Sequence, residues 1–133
     1  MRVGKSAEMK LFTLAMEIKT FTSKYIHVHT NVANTTREDI HKLALCSPKI
    51  LFEGHYLIDI MNDFCEKKGY TFMITVMNST KPKEFNATVI LKKMNQPQAV
   101  NKISKTFVHS SKAENCNNVG LLVKDFLYSL LEK

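Results

Sequence analysis

The thirty residues from Ser47 to Val76, SPKILFEGHYLIDIMNDFCEKKGYTFMITV, contain the pattern that decides the fold. Lys49–Glu53 is typical of a short strand, and Gly54 can then turn the chain because glycine tolerates positive φ. Over Tyr56–Lys68 the apolar residues recur every three or four positions, which predicts an amphipathic helix. Gly69 is placed to end that helix, and an alternating apolar pattern then begins a strand. The stretch therefore predicts a strand, a helix and a second strand in close succession.

Two helices are predicted before this stretch. Residues 6–22 place apolar side chains at helical spacing on one face, at Leu11, Leu14, Ile18 and Phe21. Residues 36–45 predict a shorter helix that Thr36 caps, with Asp39 at the third position of a capping box. Pro48 then ends that helix, because proline cannot continue the hydrogen-bond ladder.

Three strands and a closing helix are predicted after Gly69. YTFMITVM and EFNATVILKKM alternate apolar with polar residues around the hairpin loop NSTKPK, and residues 100–110 form the next strand. The stretch SSKAENCNN is predicted to be a loop, and residues 117–133 to pack as a helix. The prediction is a single α+β domain over residues 1–133, with a core of about residues 6–110 and helices packed on one curved antiparallel sheet.

The segment FEGHYLIDIMNDF resembles the F-x-G-x-x-x-I-x-x-x-x-x-F signature of the NTF2-like superfamily, an α+β cone of the cystatin-like kind. Phe52, Gly54, Ile58 and Phe64 occupy the key positions. The resemblance covers roughly residues 6–110 and implies a pocket between a bent sheet and its helices. The superfamily includes isomerases, dehydratases and cyclases, and also non-catalytic transport, scaffold and dimerisation modules, so the fold alone does not decide the function.

Enzymes of that superfamily place an Asp, alone or with a His or Tyr, inside the apolar cone, where a carboxylate with a raised pKa can act as a base. The matching ligand-pocket candidates in this chain are Tyr25, His27, His55, Tyr56, Asp59 and Phe72. Asp59 lies four residues before Asp63, so both are predicted to face solvent on one side of the helix. No catalytic residue is predicted.

Metal and cofactor binding are not predicted either. In an extended YIHVH segment, Tyr25, His27 and His29 would share one face, but no third ligand follows at a defined spacing. The three cysteines, Cys46, Cys65 and Cys116, are odd in number and lack metal-type spacing. They predict free thiols in a reducing compartment.

The N-terminal residues and the hydropathy pattern predict the location. Residues 1–10 are polar, and the apolar piece LFTLAM after them is too short for the core of a signal peptide. No apolar run approaches the length that spans a bilayer. The chain is therefore expected to be cytoplasmic or nuclear, neither secreted nor membrane-spanning.

The net charge of +7 is unevenly distributed. Between Lys81 and Lys112 the only acid is Glu84. The lysines of this basic stripe are Lys81, Lys83, Lys92, Lys93, Lys102 and Lys105, followed by Lys112 itself. Such a stripe suits a nucleic acid, an anionic lipid or an acidic protein. Alternatively, it is a solvated sheet face whose lysines block the addition of another strand.

Three functions remain as hypotheses. The first is a non-catalytic binding or dimerisation module that engages a protein partner, a second copy of itself or an apolar ligand. Its partner surface would lie on the sheet and include Met73, Thr75, Met77, Ile90 and Phe107. The second is a small cone-pocket enzyme of the isomerase or dehydratase type. The third is a weak nucleic-acid binder that uses the basic stripe.

Overall fold

A computed structural model describes residues 23–132 of the chain. The helix predicted over residues 6–22 lies outside these described residues. The elements are, in order, β1 (Ile26–Thr30), α1 (Arg37–Ile40) continued by a π-helical turn (His41–Leu45), α2 (Leu57–Lys68), β2 (Tyr70–Asn78), β3 (Glu84–Lys93), β4 (Ala99–Val108) and α3 (Lys112–Leu131).

The four strands form one mixed sheet in the order β1-β2-β3-β4. β2, β3 and β4 pair as an antiparallel meander, as predicted. β1 joins the other side of β2 in parallel, with Ile26 opposite Phe72. Parallel pairing requires a crossover connection, and here the chain between β1 and β2 contains α1 and α2. The α+β fold class is confirmed.

All three helices pack on one face of the sheet, which we call the inner face. Every second residue of the central strands is buried there, including Phe72 and Ile74 on β2 and Phe85 on β3. α3 contributes Phe126, whose ring meets that of Phe72 edge to face at a centroid distance of 6.2 Å. The two-residue period of the strands thus divides each strand between a core side and an outward side.

The predicted cap of α1 at Thr36 and the predicted end of α2 at Gly69 are confirmed. Thr36 caps α1, because the Asp39 N–H donates to Thr36 Oγ1 at 3.2 Å while the Thr36 N–H donates to Asp39 Oδ2 at 2.8 Å. The bond from the Thr36 backbone also holds the pKa of Asp39 below its ordinary value. α2 ends at Gly69, which adopts φ 73° and donates its N–H to the Cys65 carbonyl oxygen.

The strand predicted over Lys49–Glu53 does not form. Phe52 pairs only with His55, through two backbone hydrogen bonds of 2.8 and 3.0 Å that close a tight turn. Glu53 and Gly54 form the turn with positive φ values of 50° and 85°. Ile50 and Phe52 are nevertheless buried. The apolar pattern that predicted a strand is therefore explained by a loop that fills the core.

α3 begins earlier than predicted. The segment SSKAENCNN was expected to be a loop, but the helix starts at Lys112, with Ser111 as its N-cap and the Glu114 N–H donating to Ser111 Oγ at 3.2 Å. Its first turns are mostly polar in sequence, although Asn115 and Cys116 are buried. Tertiary packing, rather than an apolar stripe, thus accounts for this part of the helix.

Two helical segments approach each other closely at Gly120 of α3. A Cβ atom added there would lie 2.5 Å from Ile50 Cδ1, 3.2 Å from the Ala44 carbonyl oxygen and 3.3 Å from Ala44 Cα. Ile50 is a buried side chain whose Cδ1 would have to shift, and the Ala44 backbone, which belongs to the π-helical turn, would have to move as well. Because Gly120 has no side chain, α3 and the π-helical turn can pack this closely.

We predict that Gly120→Ala destabilises the protein by about 1 kcal/mol, because overpacking outweighs the gain in helix propensity. Urea unfolding followed by circular dichroism would measure this. The matched control compares Asp125→Ala with Asp125→Gly, since Asp125 is exposed in the interior of the same helix and the pair reports the difference in helix propensity. If Gly120→Ala stabilised the protein by the amount that separates these two variants, the close contact would be contradicted.

His41 is fully buried at the start of the π-helical turn. Its Nδ1 lies 3.1 Å from the Arg37 carbonyl oxygen, and since a carbonyl only accepts, Nδ1 carries the hydrogen. Burial is the main cause that lowers the pKa of His41 from its ordinary value of 6.5. The fold therefore contains a neutral imidazole at neutral pH.

We predict that His41 makes the protein less stable in mild acid. As the pH falls below 6.5, the unfolded chain takes up a proton that folded His41 accepts only at a lower pH, so unfolding is favoured. Melting temperatures measured from pH 7.5 to 5 should fall, and His41→Leu should flatten that slope. His27→Asn, at an exposed histidine, is the control. Equal slopes for the wild type and His41→Leu would contradict the prediction.

Candidate functional site

The sheet face opposite the helices, which we call the outer sheet face, is not covered by any element within residues 23–132. Its residues are given by the register and by the alternation along each strand: His27, His29, Thr71, Met73, Thr75, Met77, Glu84, Asn86, Thr88, Ile90, Lys92, Lys102, Ser104, Thr106 and Val108. The central row runs across all four strands from His27 through Met73 and Ile90 to Lys102. The strand pairing thus creates one uninterrupted surface four strands wide.

The outer sheet face is rich in hydroxyl groups. Thr88 Oγ1 and Ser104 Oγ lie 2.9 Å apart, and Thr106 Oγ1 donates to Asn86 Oδ1 at 2.6 Å. These cross-strand bonds hold side chains in fixed positions across β3 and β4. None of the outward residues of the four strands is Phe, Tyr or Trp. The only aromatic rings among the outward residues of the four strands are the imidazoles of His27 and His29, both on the edge strand β1, so the rest of the face offers polar and aliphatic contacts.

Four of the five residues predicted as a partner surface lie together on the outer sheet face: Met73, Thr75, Met77 and Ile90. Phe107 does not belong with them. It pairs with Phe85 in the register and faces inward, with the two ring centroids 5.5 Å apart. Phe107 is therefore partly buried and packs against the hydrophobic core. Partner binding by the other four residues stays a prediction.

The predicted ligand-pocket residues are spread over several environments. Phe72 is fully buried on the inner face. His27 pairs with Met73, the residue that follows Phe72, and therefore lies on the outer sheet face. His55 and Tyr56 are exposed at the turn before α2, and Asp59 is exposed on that helix. The last of the six, Tyr25, is partly buried against the core. His27 and Phe72 are therefore on opposite sides of the sheet and cannot line one cavity.

The reactive side chains of the described region are mostly in structural positions. Burial raises the pKa of the Cys65 thiol to about 12 and that of Cys116 to about 11, so both stay protonated at neutral pH. None of the three cysteines, all of which lie within the described residues, forms a disulfide bond.

Within residues 23–132, no group of three or more His, Cys, Asp or Glu side chains could hold a metal ion. The same residues include no helix that is long and apolar enough to cross a membrane.

Charge is divided between the two layers. Residues 70–111, which hold the antiparallel meander, carry six lysines and one acid, Glu84, a formal net charge of +5. Residues 37–69 and 112–132, which hold the helices, carry seven basic and nine acidic residues, a net charge of −2. Both ion pairs found in the described region, Lys67–Asp63 and Lys112–Asp39, belong to helices or helix caps.

The six lysines of residues 70–111 follow the length of β3 and β4. Lys81 and Lys83 precede β3, and Lys92 and Lys93 end it, so the two pairs are separated by a strand of ten residues, or roughly 30 Å. Lys102 lies between them on the outer sheet face. Lys105 points to the inner side, 5.5 Å from the centroid of the Phe107 ring. No carboxylate in the described region lies within ion-pair distance of these lysines.

The start of α3 lies next to the loop between β2 and β3. The His109 N–H donates to the Lys83 carbonyl oxygen at 2.8 Å. Asn115 is buried and accepts the Ser110 N–H at Oδ1, at 2.9 Å, while its Nδ2 lies 3.4 Å from His109 Nδ1. This junction holds Lys83 close to the first turn of α3. Sequence reasoning missed it, although Ser111-x-x-Glu114 has the spacing of a helix N-terminus.

No protein-family model, curated protein or solved structure matches this chain. The NTF2-like relationship therefore stays a prediction. Its signature residues Ile58 and Phe64 are buried on α2 as expected, and Phe52 is buried in the turn at Gly54. These positions are explained by packing in the present fold.

We predict that Asn115→Leu destabilises the protein by about 1 kcal/mol, because it removes the buried amide whose Oδ1 accepts the Ser110 N–H. Chemical denaturation would measure the loss. Asn117→Leu, two residues along the same helix and only partly buried, is the control. Equal effects of the two substitutions would contradict a specific role for the Asn115 amide.

Proposed function

We propose that this domain is a non-catalytic module that binds the phosphate backbone of a nucleic acid through the basic stripe. The observation that carries the proposal is the separation of charge between the layers. The meander has a net charge of +5 and its lysines lack carboxylate partners in the described region, while the acids are concentrated among the helices. Unpaired lysines release counterions when they meet phosphates, which favours binding.

The spacing of the lysines supports a duplex as the ligand. The pairs at the two ends of β3 are roughly 30 Å apart. One turn of a DNA duplex is about 34 Å long. Lysines at the two ends could thus approach phosphates about one turn apart, while Lys102 contacts the backbone between them.

The side chains of the outer sheet face support backbone contacts over base readout. Proteins that bind single strands stack bases on aromatic side chains, and the outward residues of the four strands include no Phe, Tyr or Trp. Hydroxyl groups such as those of Thr88 and Ser104 can instead donate to phosphate or sugar oxygens. The proposed binding is therefore largely independent of sequence and stronger for duplexes than for single strands.

Fluorescence anisotropy with labelled RNA and DNA of equal length, each single-stranded and duplex, would test this. We expect affinity to fall linearly with salt on a double-logarithmic plot, and duplexes to bind more tightly. The variant Lys92→Gln/Lys93→Gln/Lys102→Gln should weaken binding at least about tenfold. It should also reduce the salt slope by about 1 for every lysine that binds a phosphate in the wild type.

The matched control is Lys49→Gln/Lys67→Gln/Lys124→Gln, which removes three lysines from the helical side. It should leave the affinity and the salt slope nearly unchanged, because these residues lie outside the meander. Absence of binding at low salt would refute the proposal. An equal loss of affinity in the control variant would also refute it, since attraction would then depend on total charge and not on the basic stripe.

A further inference from the structure

The free edge of β4 is a second feature of the molecule, independent of nucleic-acid binding. β4 is the last strand of the sheet, and no element within residues 23–132 pairs with its outer side. It is ten residues long, and an edge of this length presents a row of unpaired backbone donors and acceptors. Proteins generally cover, twist or charge such an edge. The side chains of β4 therefore decide whether the edge repels another strand or accepts one.

The exposed apolar side chains of β4 favour the addition of another strand to this edge. Val108 is 67% exposed and Val100 is 53% exposed, more than any other large apolar residue of the described region. They lie near opposite ends of β4, on either side of Ser104. Beneath the same edge, Leu121 of α3 is also exposed and lines a notch of about 220 Å³ with Phe107 and Lys105. Three of the eight large apolar residues that are exposed in the described region thus lie on this strand or beneath it.

We infer that β4 pairs antiparallel with β4 of a second copy of this chain, with each Ser104 opposite the partner's Ser104. Counting outward along both strands then puts Val108 opposite the partner's Val100, the residue of β4 at which the register with β3 shifts between Leu91 and Lys92, and the twofold axis repeats this pair. The two most exposed apolar residues of the described region cover each other on both sides of the twofold axis. The two sheets join into one continuous sheet of eight strands.

The same register puts no two lysines directly opposite each other, and the two Lys105 residues are diagonal neighbours across the twofold axis. Lys102 is opposite the partner's Thr106, and Lys105 is opposite the partner's Ile103, so no two lysines form a cross-strand pair. Like charges directly opposite each other destabilise paired strands, and this register avoids them. Asp125 of α3 lines the notch below Lys105 and provides a carboxylate on the same side of the strand. A second copy therefore fits the edge in both apolar matching and charge.

Light scattering coupled to size-exclusion chromatography, on the nuclease-treated chain of 133 residues, is the first test. We expect a mass approaching twice the 15.2 kDa of the chain as the protein concentration rises. Val108→Lys should restore a monomer while leaving the circular dichroism spectrum unchanged. Leu131→Lys, which charges another exposed apolar residue at the end of α3, should leave the dimer intact. A wild-type monomer at all concentrations, or a dimer insensitive to Val108→Lys, would overturn the inference.

Disulfide trapping tests the register. In a Cys46→Ser background, Ser104→Cys should form a crosslinked dimer, because directly opposite residues have Cα atoms about 4.5–5.5 Å apart, within disulfide range. Lys102→Cys and Thr106→Cys should each fail to crosslink alone but crosslink when mixed in equal amounts. Efficient crosslinking of Thr106→Cys alone, or failure of both Ser104→Cys and the mixture, would overturn the proposed pairing even if one variant folded poorly.

Discussion

The structure depends on the burial of one face of the antiparallel meander beneath the C-terminal helix. Phe72 and Phe85 supply that face, and Phe126 of α3 closes over it. Because side chains alternate along a strand, burying one face commits every other residue of β2, β3 and β4 to the opposite side. The outer sheet face, with its hydroxyl groups and Lys102, is therefore a direct consequence of how the core is packed.

The unit formed by α2, the three-stranded meander and α3 is compact, and β1 with α1 is added to one side of it. β1 extends the sheet in parallel, while the π-helical turn packs against α3 where Gly120 carries no side chain. The added segment also contributes Asp39, which pairs with Lys112 at 3.5 Å and so neutralises a lysine near the start of α3. The acids and their partners are thus concentrated on the helical side, and the meander lysines are left to solvent.

The basic stripe and the free edge of β4 share the same part of the sheet. Lys102 and Lys105 lie on β4 itself, between Val100 and Val108. Lysines on an edge strand commonly oppose the addition of another strand. Here the two roles are compatible, because a strand that pairs through the backbone leaves Lys102 pointing away from the inner face. A dimer formed at this edge would place two basic stripes side by side on one extended surface.

The order of most elements was determined by local sequence. The capping box at Thr36, the glycine that ends α2 and the alternation of β2 and β3 each act within a few residues, so they could be predicted. The predicted strand at Lys49–Glu53 was wrong, because Ile50 is buried in a loop that packs against Gly120 of α3. The predicted loop before α3 was wrong, because the local helix start at Ser111 was overlooked. The parallel pairing of β1, the inward position of Phe107 and the separation of His27 from Phe72 were decided only by tertiary structure. Strand register and layer packing bring together residues far apart in the sequence, and no local pattern encodes which of them will meet.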